Sequence, residues 1–515
     1  MTDKTLVIGN GPCARSIAEA LITQGAEVIV ATKKDSADIS SAEKVLSNTK
    51  LVSCQDSAGS FNILMNRNGE ELSETVGNVV IAEEAVREPD FSSYELTPSP
   101  DVISLSRLTG LLSDGKSDEL SGKKIVFLTG LAKESSPVIL EDIMQSCLRL
   151  QSNFHAQTYI LTKNLKVGGN GLEALYRTTR EAGAVYVKFT DVMPEIRQEK
   201  DTGVALTFTD EITGEKLRLS PDITVVDERI FPSEDIAELA ALLELDTDQN
   251  GFVQADNVHR ISVLTNRKGI FAAGPSRSIH SPADQVTDAG NAVISVLKPE
   301  ADQPETAAQV NKGLCVRCLT CYRVCPYRAI ILNARPFVVP EACEQCGICT
   351  AECPAHAVTI KELTRDEISD QIIKGIPQKK ETTTPFLVAF CCRRSAVRAK
   401  ALASCMGHTL PRGLRIIEVP CAGGVSHEHI FSAFQNHADG VLVLTCHEGN
   451  CHSERGNIHA RKRTDHISGI LSETGFESER LLIRTLASNM AKEFADIVNG
   501  FEKTILDLGP SSLSQ

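Results

Sequence analysis

Two short stretches place eight cysteines at the spacing of metal ligands: "CVRCLTCYRVCP" (315–326) and "CEQCGICTAECP" (343–354). Each has the form C-x2-C-x2-C-x3-C-P. Three thiolates this close together wrap one corner of an iron–sulfur cube, and the fourth, before proline, is directed away toward the neighbouring cluster. The pattern therefore predicts one [4Fe–4S] cluster on Cys315, Cys318, Cys321 and Cys353. A second falls on Cys343, Cys346, Cys349 and Cys325. Zinc is the competing reading, but zinc sites pair two C-x2-C units across a longer loop and lack the third cysteine. Two cubes joined by exchanged fourth ligands lie close enough to pass electrons.

Fourteen of the 17 cysteines fall between Cys315 and Cys451. In a large chain such clustering reads as metal or redox chemistry rather than a disulfide framework. Downstream, Cys391, Cys392, Cys421, Cys446 and Cys451 stand at or just after the ends of apolar strands. Four such thiols can hold a [2Fe–2S] cluster; a zinc site and a set of structural or redox thiols remain open. His447 and His452 beside them read as hydrogen-bond partners. Cys13, Cys54, Cys147 and Cys405 read as packed thiols.

The N-terminal "TLVIGNGPCA" offers Gly9, Gly11 and Ala14 in the G-x-G-x-x-G/A arrangement, after a strand and opening a helix. There the backbone admits a pyrophosphate at the helix N-terminus. The second strand ends Thr32-Lys33-Lys34, without the ribose-binding acid. At 265–276, "TNRKGIFAAGPS" resembles the second fingerprint of two-dinucleotide-domain flavoproteins, so Thr265, Gly269 and Gly274 join the candidate flavin residues. Pro275 stands where that fingerprint has aspartate.

The elements around these residues alternate strand and helix, which predicts an α/β architecture. "KKIVFLTG", "AQTYILT" and "AVYVKF" are strands separated by helices. The run 203–228 reads as a hairpin turning at Thr213-Gly214 and leading into a core strand. "PFLVAFCC", "LRIIEVPC" and "GVLVLTCHEGNC" are strands ending on cysteine, and active groups gather at such ends in parallel sheets. Polar bridges at 298–313 and 364–385 separate three domains: 1–297, 311–362 and 386–515.

A net charge of −14 and the absence of Trp exclude a nucleic-acid binder. No apolar run approaches the roughly 20 residues of a membrane span. The N-terminus reads as a strand rather than a signal peptide, which points to the cytoplasm, with the inner membrane reached only through a partner. No Ser/His/Asp or paired-carboxylate arrangement stands out, so no catalytic residue is assigned.

Residues 1–297, through "GLEALYRTTREAGAVYVKF", "DEITGEKLRLSPDITVV" and "VLTNRKGIFAAGPSRSIHSPADQVTDAGNAV", resemble the A-type flavoprotein component of heterodisulfide reductase. The two cysteine motifs are ferredoxin motifs of the same family. Residues 386–515, through "RIIEVPCAGGV", "FQNHADGVLVLTCHEGNCH" and "GNIHARKR", resemble the delta subunit of methyl-viologen-reducing hydrogenase. The fusion is similar to the B-type component of quinone-interacting membrane-bound oxidoreductases. The resemblance implies an FAD/NAD(P)-binding Rossmann-type unit, a small α+β two-cluster ferredoxin domain and an α/β iron–sulfur domain. It further implies electron transfer within a multi-subunit complex, with FAD and a C-terminal [2Fe–2S] cluster. Partners would be further subunits of heterodisulfide-reductase or quinone-interacting type and an electron donor or acceptor protein. "CCRRS" replaces the family's C-x-x-C, leaving the choice between Cys391 and Cys392 open, and "NVVIAEE" and "ITVVDER" replace strands ending Ala-Thr-Gly. A non-flavin adaptor around the ferredoxin motifs is the rival reading.

Overall fold

The structure, a computed structural model, describes residues 4–35, 44–57, 59–113, 120–169, 171–190, 192–199, 203–211, 213–253, 263–297, 307–332, 334–376 and 384–511. Most of the first polar bridge, 298–306, lies outside them. The backbone forms two compact units, and the division differs from the expected 1–297 boundary. One unit holds residues 1–83, 235–273 and 286–515; the other holds 84–234 and 274–285. The N-terminal region thus carries a second α/β unit inserted after four parallel strands of the first sheet and a meander.

In the first unit the strands Lys4–Ile8, Glu27–Ala31, Lys44–Leu46, Asn78–Ile81 and Ile270–Ala272 form one parallel sheet, with Lys4–Ile8 at its centre. Both faces are covered, which is why these strands read as continuous apolar runs. Cys13, Ile17 and Leu21 of the helix Pro12–Thr23 pack on one face, and Ile236 and Leu239 of the helix Glu234–Leu242 on the other. An antiparallel meander, Thr49–Ser57, Ser60–Arg67 and Glu70–Val76, follows the third strand.

The C-terminal sheet of the same unit is wholly parallel, in the order Leu414–Val419, Leu387–Cys392, Gly440–Thr445, Leu481–Thr485. The chain steps from Leu387–Cys392 to one neighbour and then to the other, so a topological switch point lies at the carboxyl ends of Leu387–Cys392 and Gly440–Thr445. Between the two sheets in sequence come the paired strands Gln309–Val310 with Val358–Thr359 and Ile330–Leu332 with Pro336–Val338. The bridge 364–385 is more than a linker. Thr364 and Glu367 form a capping box at the head of the helix Arg365–Ile373, and Ile368 and Ile372 are fully buried.

The second unit has its own parallel sheet: Val185–Lys188, Gln157–Thr162, Lys124–Thr129, Ile223–Val226, Val102–Ser104. The expected hairpin is present as Gly203–Thr209 against Lys216–Leu219. At the end of Ile223–Val226, Asp227 accepts hydrogen bonds from the Gly130 amide (2.8 Å) and the Tyr94 hydroxyl (3.1 Å). Burial nevertheless pushes its carboxyl up to about 6, against those bonds. The folded form then holds a proton that the unfolded chain, with its ordinary carboxyl near 3.8, releases earlier. Stability of this unit should therefore fall as pH rises from about 4 to about 6, by about 3 kcal/mol. Native-state hydrogen exchange of the Lys124–Thr129 amides, corrected for intrinsic rates, checks this. Asp227→Asn should flatten the dependence.

Candidate metal centres

The two cysteine motifs fold as copies of one another. Arg317 and Gln345, two residues after the first cysteine of each motif, have φ of 59° and 55°. Leu319 and Gly347, two further on, have 59° and 78°. These left-handed residues curl each loop so that its thiols face inward. The copies extend to the last cysteine. The Ala329 amide donates to Cys325 Sγ (3.4 Å) and the Ala357 amide to Cys353 Sγ (3.3 Å).

The thiols gather in two groups with exchanged fourth members. The Cys321 thiol has Cys353, Cys318 and Cys315 as charge neighbours. Cys346 has Cys349, Cys325 and Cys343. Cys349 also senses Cys321, so the groups adjoin. The first group faces a cavity walled by Val310, Val316, Leu319, Pro336 and Val358. Burial, followed by neighbouring thiols, holds Cys346 and Cys349 well above the ordinary thiol range. Such thiols keep their protons until a cation replaces them, as a cluster does. Four sulfur donors around an apolar-walled space fit a cube. Among the described residues, no three His, Cys, Asp or Glu side chains converge on the point a single metal ion would occupy.

A third group forms at the switch point. Cys392 Sγ and Cys446 Sγ are 3.7 Å apart. The Cys451 thiol is pushed up to about 12, first by its bond with Cys421, with burial adding to it. A Cβ on Gly456 would lie 2.3 Å from Cys421 Sγ and 3.4 Å from Cys451 Sγ, so only glycine leaves these two sulfurs their space. Cys392, Cys421, Cys446 and Cys451 are therefore brought together, and Cys391 is not. Successive strand residues face opposite sides, and Cys391 packs with Ala396, Ala399 and Phe494 in the other core layer. The His447 ring nitrogens engage Thr485 Oγ1 (2.9 Å) and Met490 Sδ (3.4 Å), away from the thiols. Buried Ser395 neighbours Cys392 and Cys446, though its hydroxyl makes no hydrogen bond among the described residues. Of the four thiols read as packed, Cys13 and Cys147 are buried and Cys54 partly so, but Cys405 is exposed at the end of its helix.

The second and third groups share one packed junction. A Cβ on Gly424 would sit 2.9 Å from the Cys346 carbonyl oxygen and 3.2 Å from Gly347 Cα, a close approach of two backbones that glycine permits. Buried Tyr327 donates its hydroxyl toward His452 O and Ser453 Oγ, 3.2 Å each, and has Cys346 and Cys421 as charge neighbours. Arg463, 5% exposed, reaches across to Glu352 (2.5 Å) and also donates to the Gly423 and Val425 carbonyls. Sequence reading passed over Tyr327, Glu352, Arg463 and Ser395. The double glycine of "CAGGV" was the one visible signal.

At the glycine turn, Gly9 has φ 137° and lies against Ala82, while Gly11 caps the helix Pro12–Thr23 with no side-chain bond. Ala14 is fully buried in that first turn. A helix start without a side-chain cap suits a pyrophosphate. Beyond the second strand, Lys33 binds Asp235 (2.5 Å) and Glu238 (3.0 Å), and Lys50 binds Glu238 (2.6 Å). The position of the ribose acid is therefore a lysine tied to two carboxylates, beside a narrow cavity that Thr32 and Glu83 also line. Thr265 Oγ1 bonds the Arg267 and Ile270 carbonyls and closes the turn made by Gly269. Gly274 opens the short turn Gly274–Ser276. The phosphate end fits a flavin dinucleotide; the carboxylates expected toward the ribose and ribityl are absent from Lys33 and Pro275.

Three groups of four thiols, two of them on ferredoxin-type loops and one at the switch point of a parallel sheet, define the class: a protein built around thiol groups of iron–sulfur type. Residues 387–509 match the family "Methyl-viologen-reducing hydrogenase, delta subunit", and residues 308–331 match "4Fe-4S binding domain". The D-type iron-sulfur component of the F420-non-reducing hydrogenase of Archaeoglobus profundus is 34% identical over 130 residues, 25% of this chain and 95% of that one. Through this C-terminal region the chain belongs to the hydrogenase delta subunit family. The A-type component of the Ferredoxin/F(420)H(2)-dependent CoB-CoM heterodisulfide reductase of Methanosarcina acetivorans is 25% identical over 352 residues, 67% of this chain and 44% of that one. One chain thus joins a part similar to that heterodisulfide reductase component to a delta-type part. It spans less than half the length of the heterodisulfide reductase chain it matches.

Proposed function

We propose that this chain is an iron–sulfur electron-transfer subunit of a heterodisulfide-reductase-type complex. Cys315, Cys318, Cys321 and Cys353 hold one [4Fe–4S] cluster, and Cys343, Cys346, Cys349 and Cys325 the other. Cys392, Cys421, Cys446 and Cys451 hold a [2Fe–2S] cluster. When bound, these groups supply one-electron carriage at potentials set by burial and by hydrogen bonds to sulfur. The chain's own residues set those conditions: Ala329 and Ala357 donate to ligand sulfurs, and Ser395 lies beside Cys392 and Cys446. The junction at which Gly424 meets the Cys346 carbonyl and Tyr327 meets Ser453 carries the reading, because it brings the Cys346 loop and the Cys421 loop into contact. Among the described residues no helix is long and apolar enough to cross a membrane. Operation on the cytoplasmic side, with any membrane attachment through another subunit, is part of the proposal.

A flavin dinucleotide on Gly9, Gly11 and Ala14 belongs to the same reading, supported by the uncapped helix start. The Lys33–Asp235–Glu238 network favours the second reading, an adaptor in which this sheet holds the ferredoxin part without flavin. Anaerobic purification with iron analysis and flavin extraction tests both. Two cubes require about eight irons per chain, and a binuclear cluster raises this to about ten. Iron far below eight defeats the central claim. Stoichiometric flavin sinks the adaptor reading, and absence of flavin sinks the flavoprotein one.

A further inference from the structure

We infer that the loop around Cys315 and Cys318 is the docking surface for an acidic electron-carrier protein, guided by a basic rim formed by Lys312, Arg317, Arg323 and Arg335. The inference rests on the proposal that this thiol group holds a cluster.

The loop is the open side of the centre. Residues 311–314 and 316–318 are exposed, and Leu314 and Val316 leave 54% and 66% of their surface to solvent. Cys318 is itself exposed, whereas Cys349 and the four thiols of the third group are buried. Two apolar side chains standing out beside a ligand thiol form the kind of dry centre that transient interfaces use. Charge then decides the occupant. The chain is acidic, at −14, yet residues 306–340 contain no Asp or Glu and five basic residues: Lys312, Arg317, Arg323, Arg328 and Arg335.

The backbone bonds fix two of these on the rim. Arg323 donates to the Cys318 carbonyl (3.0 Å) and Arg335 to the Cys315 carbonyl. Lys312 and Arg317 flank Leu314 and Val316 in sequence. Among the described residues, Arg328 pairs with Glu244 (3.7 Å), whereas Lys312, Arg317, Arg323 and Arg335 form no ion pair. Four unneutralised cations around an exposed ligand thiol, on an otherwise anionic chain, select a partner of opposite charge and steer its approach.

The test uses the full, cluster-loaded chain under anaerobic conditions. The probes are a small acidic plant-type ferredoxin, a small basic cytochrome c, and vesicles of anionic phospholipid, with binding followed by biolayer interferometry. The acidic ferredoxin is expected to bind in low salt and to lose about tenfold or more in affinity between about 20 and about 300 mM salt. Lys312→Glu with Arg317→Asn, asparagine being at ease in the left-handed backbone at 317, should weaken it by a similar factor while leaving iron content unchanged. These two side chains make no bond that the fold uses. Absence of saturable binding of the acidic probe overturns the inference, as does an affinity within twofold in the double variant, or a preference for the cytochrome or the vesicles. Iron near eight or above with no charge dependence rejects this inference alone. Iron far below eight rejects the cluster assignment beneath it.

Discussion

Arg463→Met is expected to loosen the C-terminal region from the ferredoxin motifs by about 3 kcal/mol. The Arg463 side chain is 3% exposed and meets Glu352, 29% exposed, at 2.5 Å. His459 Nδ1 approaches the same Glu352 oxygen at 3.1 Å. Removing one member of a buried pair leaves the other charged and under-solvated, which costs about 3–5 kcal/mol. Glu352 keeps some water, which favours the lower end. The loss also strips donors from the Gly423 and Val425 carbonyls, adding to the penalty. Arg463→Lys keeps the charge but cannot fork to a carboxylate and two carbonyls at once, and should fall between.

Hydrogen exchange of the Gly456–Glu473 and Ile348–Ala351 amides reads the effect, where about 3 kcal/mol is a more than hundredfold rise in opening. Adding Glu352→Leu to Arg463→Met should recover much of it, because two apolar groups leave no stranded charge. An unchanged exchange rate in Arg463→Met would show that the pair contributes nothing to the junction.

What could be read from the sequence was what local spacing encodes. The exchange of Cys325 and Cys353 between thiol groups follows from the C-x3-C-P ending, because the fourth cysteine lies beyond the reach of its own loop. The strand ends at Cys392 and Cys446 were also legible, from apolar runs halted by cysteine. The choice between Cys391 and Cys392 was not. All six residues of Leu387–Cys392 are buried, so no polar alternation marks which face is which. Only the sheet neighbours and the two helices packed on Cys391 decide it.

Long-range pairings were equally invisible. Tyr327 finds its partners 125 and 126 residues away, and Arg463 finds Glu352 across 111. No spacing rule connects such pairs. The same holds for the boundary drawn at 1–297. The helix Glu234–Leu242 and the strand Ile270–Ala272 return to the first sheet after a complete second sheet, and their apolar pattern does not say which sheet they join. Cys405, expected to be packed, is exposed for a simpler reason. Ala399 and Ala403 occupy the buried stripe of its helix, and the position two residues on points outward.

The sharpest consequence of the switch-point geometry is an opposite result for two adjacent cysteines. Cys392→Ala is expected to lose about two of about ten irons, the content of a binuclear cluster, while the eight of the two cubes remain. Cys391→Ala should keep all of them. Its thiol packs among alanines and Phe494 in a layer remote from Cys446, and its removal leaves a small cavity costing about 1 kcal/mol. Gly456→Ala provides an independent arm, since its new methyl carbon would stand 2.3 Å from Cys421 Sγ. One of the two must move, and the sulfur that moves is a proposed ligand, so the same two irons should be lost with every cysteine in place. Iron per chain and low-temperature electron paramagnetic resonance distinguish the variants. Loss of iron in Cys391→Ala with retention in Cys392→Ala would reverse the assignment. Retention in Cys392→Ala, Cys391→Ala and Gly456→Ala alike would mean that the thiols at these strand ends hold no cluster. The Cys392, Cys446 and Cys451 thiols, held high by their bonds to one another and by burial, would then keep their protons.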